Sequence, residues 1–305
     1  MSTRIASLMN NAQSLQDLQR IKQQYSQSTH QLSSGKAMVN VGDDPAGNAK
    51  VMNYQSSLDV NDKHISQANT ANSRLQSAST ALTTMGGEIN RILELGQEGM
   101  ASSATPGSQQ PIAVEVDSLR SDLIALGNTQ EQGRYIFSGT HTKKVPFTPD
   151  GVYHGNQGVV RLEVGTGTPI ATNIPGDTLF FGAPATVQGT ATDPNADLLA
   201  QTKALSTALM ANDPGAIQTA YKNLQAISDR LNISVADLGG RMNGITAVQN
   251  GLDAYNLNLK TLQSSIASAD YPATMTQLNQ ETMSQQAALG TMAKNNQKNL
   301  FDYIA

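Results

Sequence analysis

Asp43 and Asp44 are the first side chains in the sequence that could do chemistry, since paired carboxylates can share a metal or divide acid and base roles. Adjacent residues rarely aim at one point, however, and Pro45 follows directly. That order suits a helix start better. Asp44 caps the first-turn N–H groups, and Pro45 occupies the first helical position, where a missing N–H costs nothing. Asp270-Tyr271-Pro272 repeats the arrangement near the other end, so Asp44, Pro45, Asp270 and Pro272 are assigned as cap and hinge residues. The four histidines, His30, His64, His141 and His154, have no ligand at i+4 and no cysteine beside them, although His141 and His154 could meet across strands. Gly165-Thr166-Gly167-Thr168 has some glycine of a phosphate loop but neither a third Gly, a following Lys nor a helix after it. Asn232-Ile233-Ser234 matches a glycosylation sequon inside a helical pattern, and no nucleophile elbow or Ser/His/Asp set is present. No catalytic, cofactor-binding or metal residue is expected, and the chain does not read as an enzyme.

Composition points the same way. Of 305 residues, 38% are hydrophobic and only 14% charged, with no Trp and no Cys; Gln, Asn, Ser and Thr stand where charge is usual. Such a surface suits contact with many neighbours, because a buried charge is costly unless paired. A net charge of −4 argues against nucleic acid or a basic membrane face as partners. No apolar run approaches the ~20 residues that span a bilayer. Met1 to Asn10 holds one basic residue, Arg4, and no apolar segment of a cleavable signal. Without Cys there is neither disulfide nor thiol chemistry.

The elements that carry these residues follow from periodicity. Steps of seven from Ile217 give Leu224, Leu231, Leu238, Ile245, Leu252, Leu259 and Ile266, all apolar, with a companion track of Ala220, Ile227, Ser234, Arg241, Val248, Tyr255, Leu262 and Ala269. This is a heptad seam on one long helix begun by Asp213-Pro214, with Gly239, Gly240 and Gly244 expected to mark a bend or a close helix contact. A matching seam runs from Ile65 through Leu75 and Leu82 to Leu93, on a helix that starts after Asp44-Pro45 and ends near Gly99 to Gly107. A third helix is expected over about Ile112 to Arg134. Thr140 to Asn195 reads as short strands: Val160, Leu162 and Val164 alternate with polar residues, and Thr178-Leu179-Phe180-Phe181 and Ala185-Thr186-Val187 are rich in β-formers. The fold class expected is mainly α: an elongated antiparallel helical bundle or coiled coil, with N- and C-terminal helices paired and a small all-β inserted domain. The divisions are 1–44 with 271–305 as a terminal-helix assembly domain, 45–139 with 196–270 as the bundle, and 140–195 as the insertion.

Both terminal helices carry apolar stripes on polar backgrounds. Leu8, Leu15, Leu18, Tyr25 and Leu32 mark the first, and Leu278, Leu289, Met292, Leu300 and Phe301 the second. Isolated helices of this make-up are marginal in water. Both ends are therefore expected to order only on assembly, with these ten residues as the interface. The alternative role for the stripes is ordinary core, the terminal helices folding back on their own bundle.

The same positions carry a resemblance. Gln31-Leu32-Ser33-Ser34-Gly35-Lys36, then Asn40 and Asp43-Asp44-Pro45-Ala46-Gly47, resembles the N-terminal signature of the flagellin superfamily. Gly133-Arg134-Tyr135-Ile136-Phe137-Ser138-Gly139-Thr140, Gly239-Gly240-Arg241-Met242-Asn243 and the ending Leu300-Phe301-Asp302-Tyr303 resemble the members found at the hook–filament junction, over about 1–140 and 195–305. Asp-Asp-Pro-Ala-Gly blends the two forms. The resemblance implies a structural subunit of the bacterial flagellum, an adaptor at that junction that templates filament assembly; bulk flagellin is the alternative. It implies further copies of the chain in a ring, a hook-associated neighbour on the hook side and another junction protein towards the filament. It also implies export through the flagellar type III channel to an extracellular site, with a cytosolic chaperone on the C-terminal helix. A secreted type III translocator, or an enzyme housed in the insertion, are the more distant readings.

Overall fold

The computed structural model describes residues 2–304 apart from 39, 41, 102–106, 108, 163–168 and 184–189, and in the terminal helices the side chains of Met9 and of 12–294. Seven α-helices dominate the described residues: α1 (Ser2–Ser34), α2 (Pro45–Ala101), α3 (Gln110–Gly127), α4 (Gly176–Phe181), α5 (Leu198–Ala211), α6 (Pro214–Ala267) and α7 (Tyr271–Ile304). The aspartate–proline starts explain where the long ones begin. Asp44 Oδ1 accepts from Gly47 N–H at 2.9 Å, Asp213 Oδ1 from Gly215 and Ala216 at 3.0 Å, and Asp270 Oδ1 from Ala273 at 3.1 Å. A side chain at Gly47 would collide with the Asp44 carboxylate, so this cap requires glycine three residues on. Asp43 is used differently, its Oδ2 accepting from Asn40 N–H at 2.9 Å in the turn before α2. The two carboxylates form no joint site.

The chain parts into two compact units, residues 61–253 and residues 1–60 with 254–305. In the first, α2 and α6 run antiparallel, tied by Gln249 Nε2 to Asn69 Oδ1 (2.8 Å) and by Gln97 Nε2 to the Tyr221 hydroxyl (2.6 Å). The heptad positions Ile217, Leu224, Leu231, Leu238 and Ile245 are buried, as are Leu75, Leu82, Ile89 and Ile92 on α2. Each such side chain contributes about 1.5–3 kcal/mol by leaving water. The helix α6 runs unbroken through Gly239, Gly240 and Gly244. A Cβ at Gly239 or Gly240 would meet nothing, so the expected close helix contact does not occur there.

Three expectations need correction. The third helix stops at Gly127, not near Arg134: Asn128 leaves helical geometry (φ −98°, ψ 18°) and its side chain donates to the Phe147 carbonyl at 2.8 Å and accepts from Phe147 N–H at 2.9 Å. Residues 130–135 instead form a hairpin, β1 (Gln130–Glu131) with β2 (Arg134–Tyr135), whose two-residue turn has Gln132 and Gly133 at φ 49° and 74°. Paired positive φ values match the twist of a tight hairpin, and the Gln-Gly pair supplies them. Residues 176–181 form α4, although their sequence favours strand, because burial of Leu179, Phe180 and Phe181 overrides local propensity. Helix α5 falls between the insertion and Asp213, where no helix is expected from the spacing; Asp197 caps it, accepting from Leu199 and Ala200 at 2.9 and 3.0 Å, and it packs on α3.

The insertion thus has little strand: β3 (Arg161–Leu162) pairs antiparallel with β4 (Ile170–Ala171), and Phe147 bridges Tyr153. Val164 and Ala185-Thr186-Val187 lie outside the described residues. Its centre is aromatic. The Phe147 ring sits 4.3 Å from Phe180 and 5.1 Å from Tyr153, both tilted, and these rings join the same core as Val116 and Leu123 of α3. Tyr153 donates to the Phe137 carbonyl at 2.9 Å; burial, and then the nearby Asp177, push its phenol above the usual range. Three arginines fasten these loops and short helices to the long helices. Arg120 of α3 donates to the Leu199 and Asp150 carbonyls, Arg230 of α6 to those of Leu179, Phe180 and Ala196, and Arg241 to Asn173. Carbonyls of the loops, and of the α4 end that has no further turn to bond it, accept from guanidinium N–H groups instead.

Candidate assembly surface

In the second unit α1 and α7 pack side by side, and their bases are joined by the turns that lead into α2 and out of α6. Gly35 closes α1 at φ 69°, its N–H bonded to the Gln31 carbonyl at 2.9 Å. Gln31 Nε2 reaches over to the Ala37 carbonyl at 2.6 Å. The backbone then pairs across: Ala37 N–H donates to Ala267 O at 2.8 Å, Ala269 N–H to Gly35 O at 2.9 Å, and Lys36 bridges Ser268. The Gln31 to Lys36 signature is therefore the end of α1 and the turn after it, which ties that end to the residues leading into α7. Asp44, Pro45, Asp270 and Pro272 stand at the starts of the helices on either side of it.

The helix pair buries the wrong residues for a self-sufficient core. Among its described side chains the fully buried ones are Ser28, Thr274 and Glu281, all polar. Ser28 Oγ donates to Glu281 Oε1 at 3.1 Å, and Gln277 Nε2 donates to the same oxygen at 3.0 Å. The other carboxylate oxygen, Oε2, is buried without a partner. Of the ten residues expected at an interface, Leu15 remains 54% exposed and Leu289 49%, with Tyr25 also exposed. Leu18, Leu32, Leu278 and Met292 are half-buried, while Leu8, Leu300 and Phe301 fall outside the described side chains. Met9, Met275 and Met283 add to the uncovered apolar surface. The sequence pattern locates the stripes; it does not reveal the polar seam, because Ser28 and Glu281 look like surface residues of a Gln- and Ser-rich helix.

His30, His141 and His154 are exposed, His64 is half-buried, and among the described residues no three His, Asp or Glu converge on a metal position. Gly165 to Thr168 lie outside the described residues, and Ile233 and Ser234 sit within α6. Among the described residues no helix is long and apolar enough to cross a membrane.

Long antiparallel helices and a pair of terminal helices that leaves Leu15 and Leu289 exposed define the class of protein, a mainly helical one. Residues 5–142 match the bacterial flagellin N-terminal helical region. The chain is 24% identical over 152 residues to flagellar hook-associated protein 3 of Escherichia coli K12, covering 49% of this chain and 48% of that one. It is 22% identical over 183 residues to the protein of the same name in Salmonella typhimurium, covering 58% and 56%. The matches thus span about half the length of these curated relatives. The fold is similar to that of flagellar hook-associated protein 3 from Legionella pneumophila (TM-score 0.61, 14% identity, 71% of this chain and 98% of that one). It is also similar to a structure of the flagellar junction protein from the same organism (TM-score 0.55, 15% identity, 72% and 100%). The resemblance is to the flagellin superfamily and, within it, to flagellar hook-associated protein 3.

Proposed function

We propose that this chain is a structural subunit of the bacterial flagellum, set between hook and filament, which offers its terminal helices to neighbouring copies as the template on which filament assembly begins. The observation that carries this reading is the inverted burial of α1 and α7: polar Ser28, Thr274 and Glu281 inside, Leu15, Met283 and Leu289 outside. An amphipathic pair normally hides its apolar stripe; here the stripe is free for a partner. Burial of these side chains, at about 1.5–3 kcal/mol each, offsets only part of the cost of ordering two helices of thirty-odd residues. Assembly therefore needs a preformed surface, the hook end. The scarcity of charge lets identical faces stack without repulsion, and a chain without cysteine threads an export channel uncrosslinked. Partners are other copies in a ring, a hook-side neighbour and a junction protein on the filament side, with a chaperone on α7 before export. The similarity to a structure named as the junction protein favours this position over bulk filament.

Electron microscopy of flagella from a strain lacking the chain tests the reading. Hooks without filaments, with flagellin released to the medium, are expected. Intact filaments on normal hooks would overturn it, and filaments absent with no flagellin made or released would mark bulk flagellin instead.

A further inference from the structure

The side chains that α1 and α7 cover on one another recur at steps of four and three. On α1 they are Ser14, Leu18, Ile21, Tyr25, Ser28 and Leu32, all buried or half-buried apart from Tyr25. On α7 they are Thr274, Leu278, Glu281, Gln285, Ala288 and Met292, all buried or half-buried. This is the spacing of a coiled-coil seam. Helix α1 runs down to the turn at Gly35 and α7 sets out from Tyr271 beside it, so the two are antiparallel.

A heptad seam does not fix its own register. Sliding α1 along α7 by seven residues, about 10 Å, brings seam positions back onto seam positions. One layer breaks the repetition. Buried Glu281 accepts from Ser28 Oγ at 3.1 Å. Its other donor, Gln277 Nε2, lies one turn back on the same helix and travels with it, so Ser28 alone reports where α1 stands. A slip of one heptad puts Ile21 where Ser28 stands, or Gly35 in the other direction, and neither has a side-chain donor. The carboxylate would then be buried without the hydroxyl, which costs more than the loss of an ordinary hydrogen bond. At the base, Ala37 N–H to Ala267 O and Ala269 N–H to Gly35 O also oppose a slip. Those backbone groups can turn to water at small net cost, whereas the buried carboxylate cannot.

We propose that Glu281, read by Ser28, determines the register of the α1–α7 pair, as a single buried polar residue does in other coiled coils. The apolar seam supplies attraction without choosing among heptads, and the hydroxyl–carboxylate contact makes the choice. The contact also sets the surface that the pair presents. Leu15 and Leu289 are exposed on the two helices, and a slip would carry one past the other by about 10 Å. The inference uses contacts within this chain alone and goes beyond the proposed role in assembly without resting on it.

The chain has no cysteine, so introduced pairs report register without background. Ile21→Cys with Ala288→Cys lies one heptad from Ser28 and Glu281 in opposite directions and repeats their spacing. Ser14→Cys with Ala288→Cys repeats it only after a one-heptad slip. In dilute, purified full chain, a thiol cross-linker with a two-carbon bridge is expected to join the first pair within a chain at least tenfold faster than the second, each rate being normalised to the reactivity of its single cysteines. Glu281→Leu is expected to lower that ratio at least fivefold with helix content unchanged. Ile21→Ser, which leaves Glu281 in place and gives the slipped layer a hydroxyl, is expected to speed the Ser14→Cys, Ala288→Cys link at least threefold. A ratio near one in the otherwise wild-type chain, a ratio unmoved by Glu281→Leu, or a link unmoved by Ile21→Ser would each overturn the assignment and leave the proposed function standing.

Discussion

Ser28 and Glu281, 253 positions apart, meet through a 3.1 Å hydrogen bond inside the pair formed by α1 and α7. Both are buried where an apolar contact would normally sit, while Leu15 and Leu289 of the same helices are exposed and Leu18, Leu32 and Leu278 only half-buried. The pair is therefore held in part by a polar contact and by the Gly35–Lys36–Ala37 turn against Ala267 to Ala269, and part of its hydrophobic surface stays uncovered.

Leu18→Asp and Leu289→Asp are expected to leave residues 61–253 folded and the protein soluble, yet to stop incorporation at the hook. Each charge would have to be buried against a neighbour without a partner, at several kcal/mol. Swimming assays and immunoblots of isolated flagella check this, and normal motility with either variant contradicts an assembly role for that helix.

Phe180→Ala removes a ring that lies 4.3 Å from Phe147 and is fully buried. The loss should be about 3–5 kcal/mol, seen in calorimetry as a fall of roughly 10 °C in the melting of the 61–253 unit. A change within 2 °C of the wild type would show that the aromatic centre is not part of that core.

Arg230→Gln should cost about 1–3 kcal/mol, because the carbonyls of Leu179, Phe180 and Ala196 lose their shared donor. Burial already lowers the guanidinium's affinity for its proton, with Asp197 opposing. Arg230→Lys should recover little, since one ammonium cannot span three acceptors. Denaturant midpoints of the two variants decide the matter.

Asp197 gives a pH test. Burial raises its carboxyl above the ordinary value, outweighing the N–H bonds from Ala200 and Leu199 and the nearby Arg120 and Arg230, which lower it. The folded state then holds this proton more tightly than the unfolded one. That contribution is complete below the unfolded pKa and is lost as pH rises through the folded one. Asp197→Asn keeps the cap without the charge. Its melting temperature relative to wild type should be near level at pH 3 and higher at pH 7; a variant less stable at pH 7 than at pH 3, relative to wild type, contradicts the sign. Asp197→Ala, losing the cap, should cost about 1 kcal/mol.

Local signals make the long helices readable in the sequence. Asp44-Pro45, Asp213-Pro214 and Asp270-Tyr271-Pro272 begin helices where a cap and an N-terminal proline must, and the heptads of α2 and α6 bury their apolar positions. Tertiary context hides the rest. Phe180 and Phe181 prefer strands but turn helical to reach Phe147 and Tyr153. Helix α5 has a cap at Asp197 and apolar spacing at Leu198, Leu205 and Leu209 that the proline-rich stretch before it obscures. The arginine contacts and the Ser28–Glu281 bond join residues 30 to 253 positions apart, a distance at which spacing carries no information. On the assembly surface, Leu15 and Leu289 are legible as stripes, whereas Glu281 is indistinguishable from a surface acid.

Amide hydrogen exchange, measured on dilute monomer and on isolated flagella, bears most directly on the claim that α1 and α7 complete their burial on neighbouring copies. In the monomer, amides of 12–34 and 271–294 should exchange with little protection while those of Leu82 to Leu95 and Leu224 to Ile245 stay slow; in flagella the terminal amides should slow by at least a hundredfold. Terminal amides as protected in the monomer as the 61–253 core, and unchanged on assembly, would contradict the account.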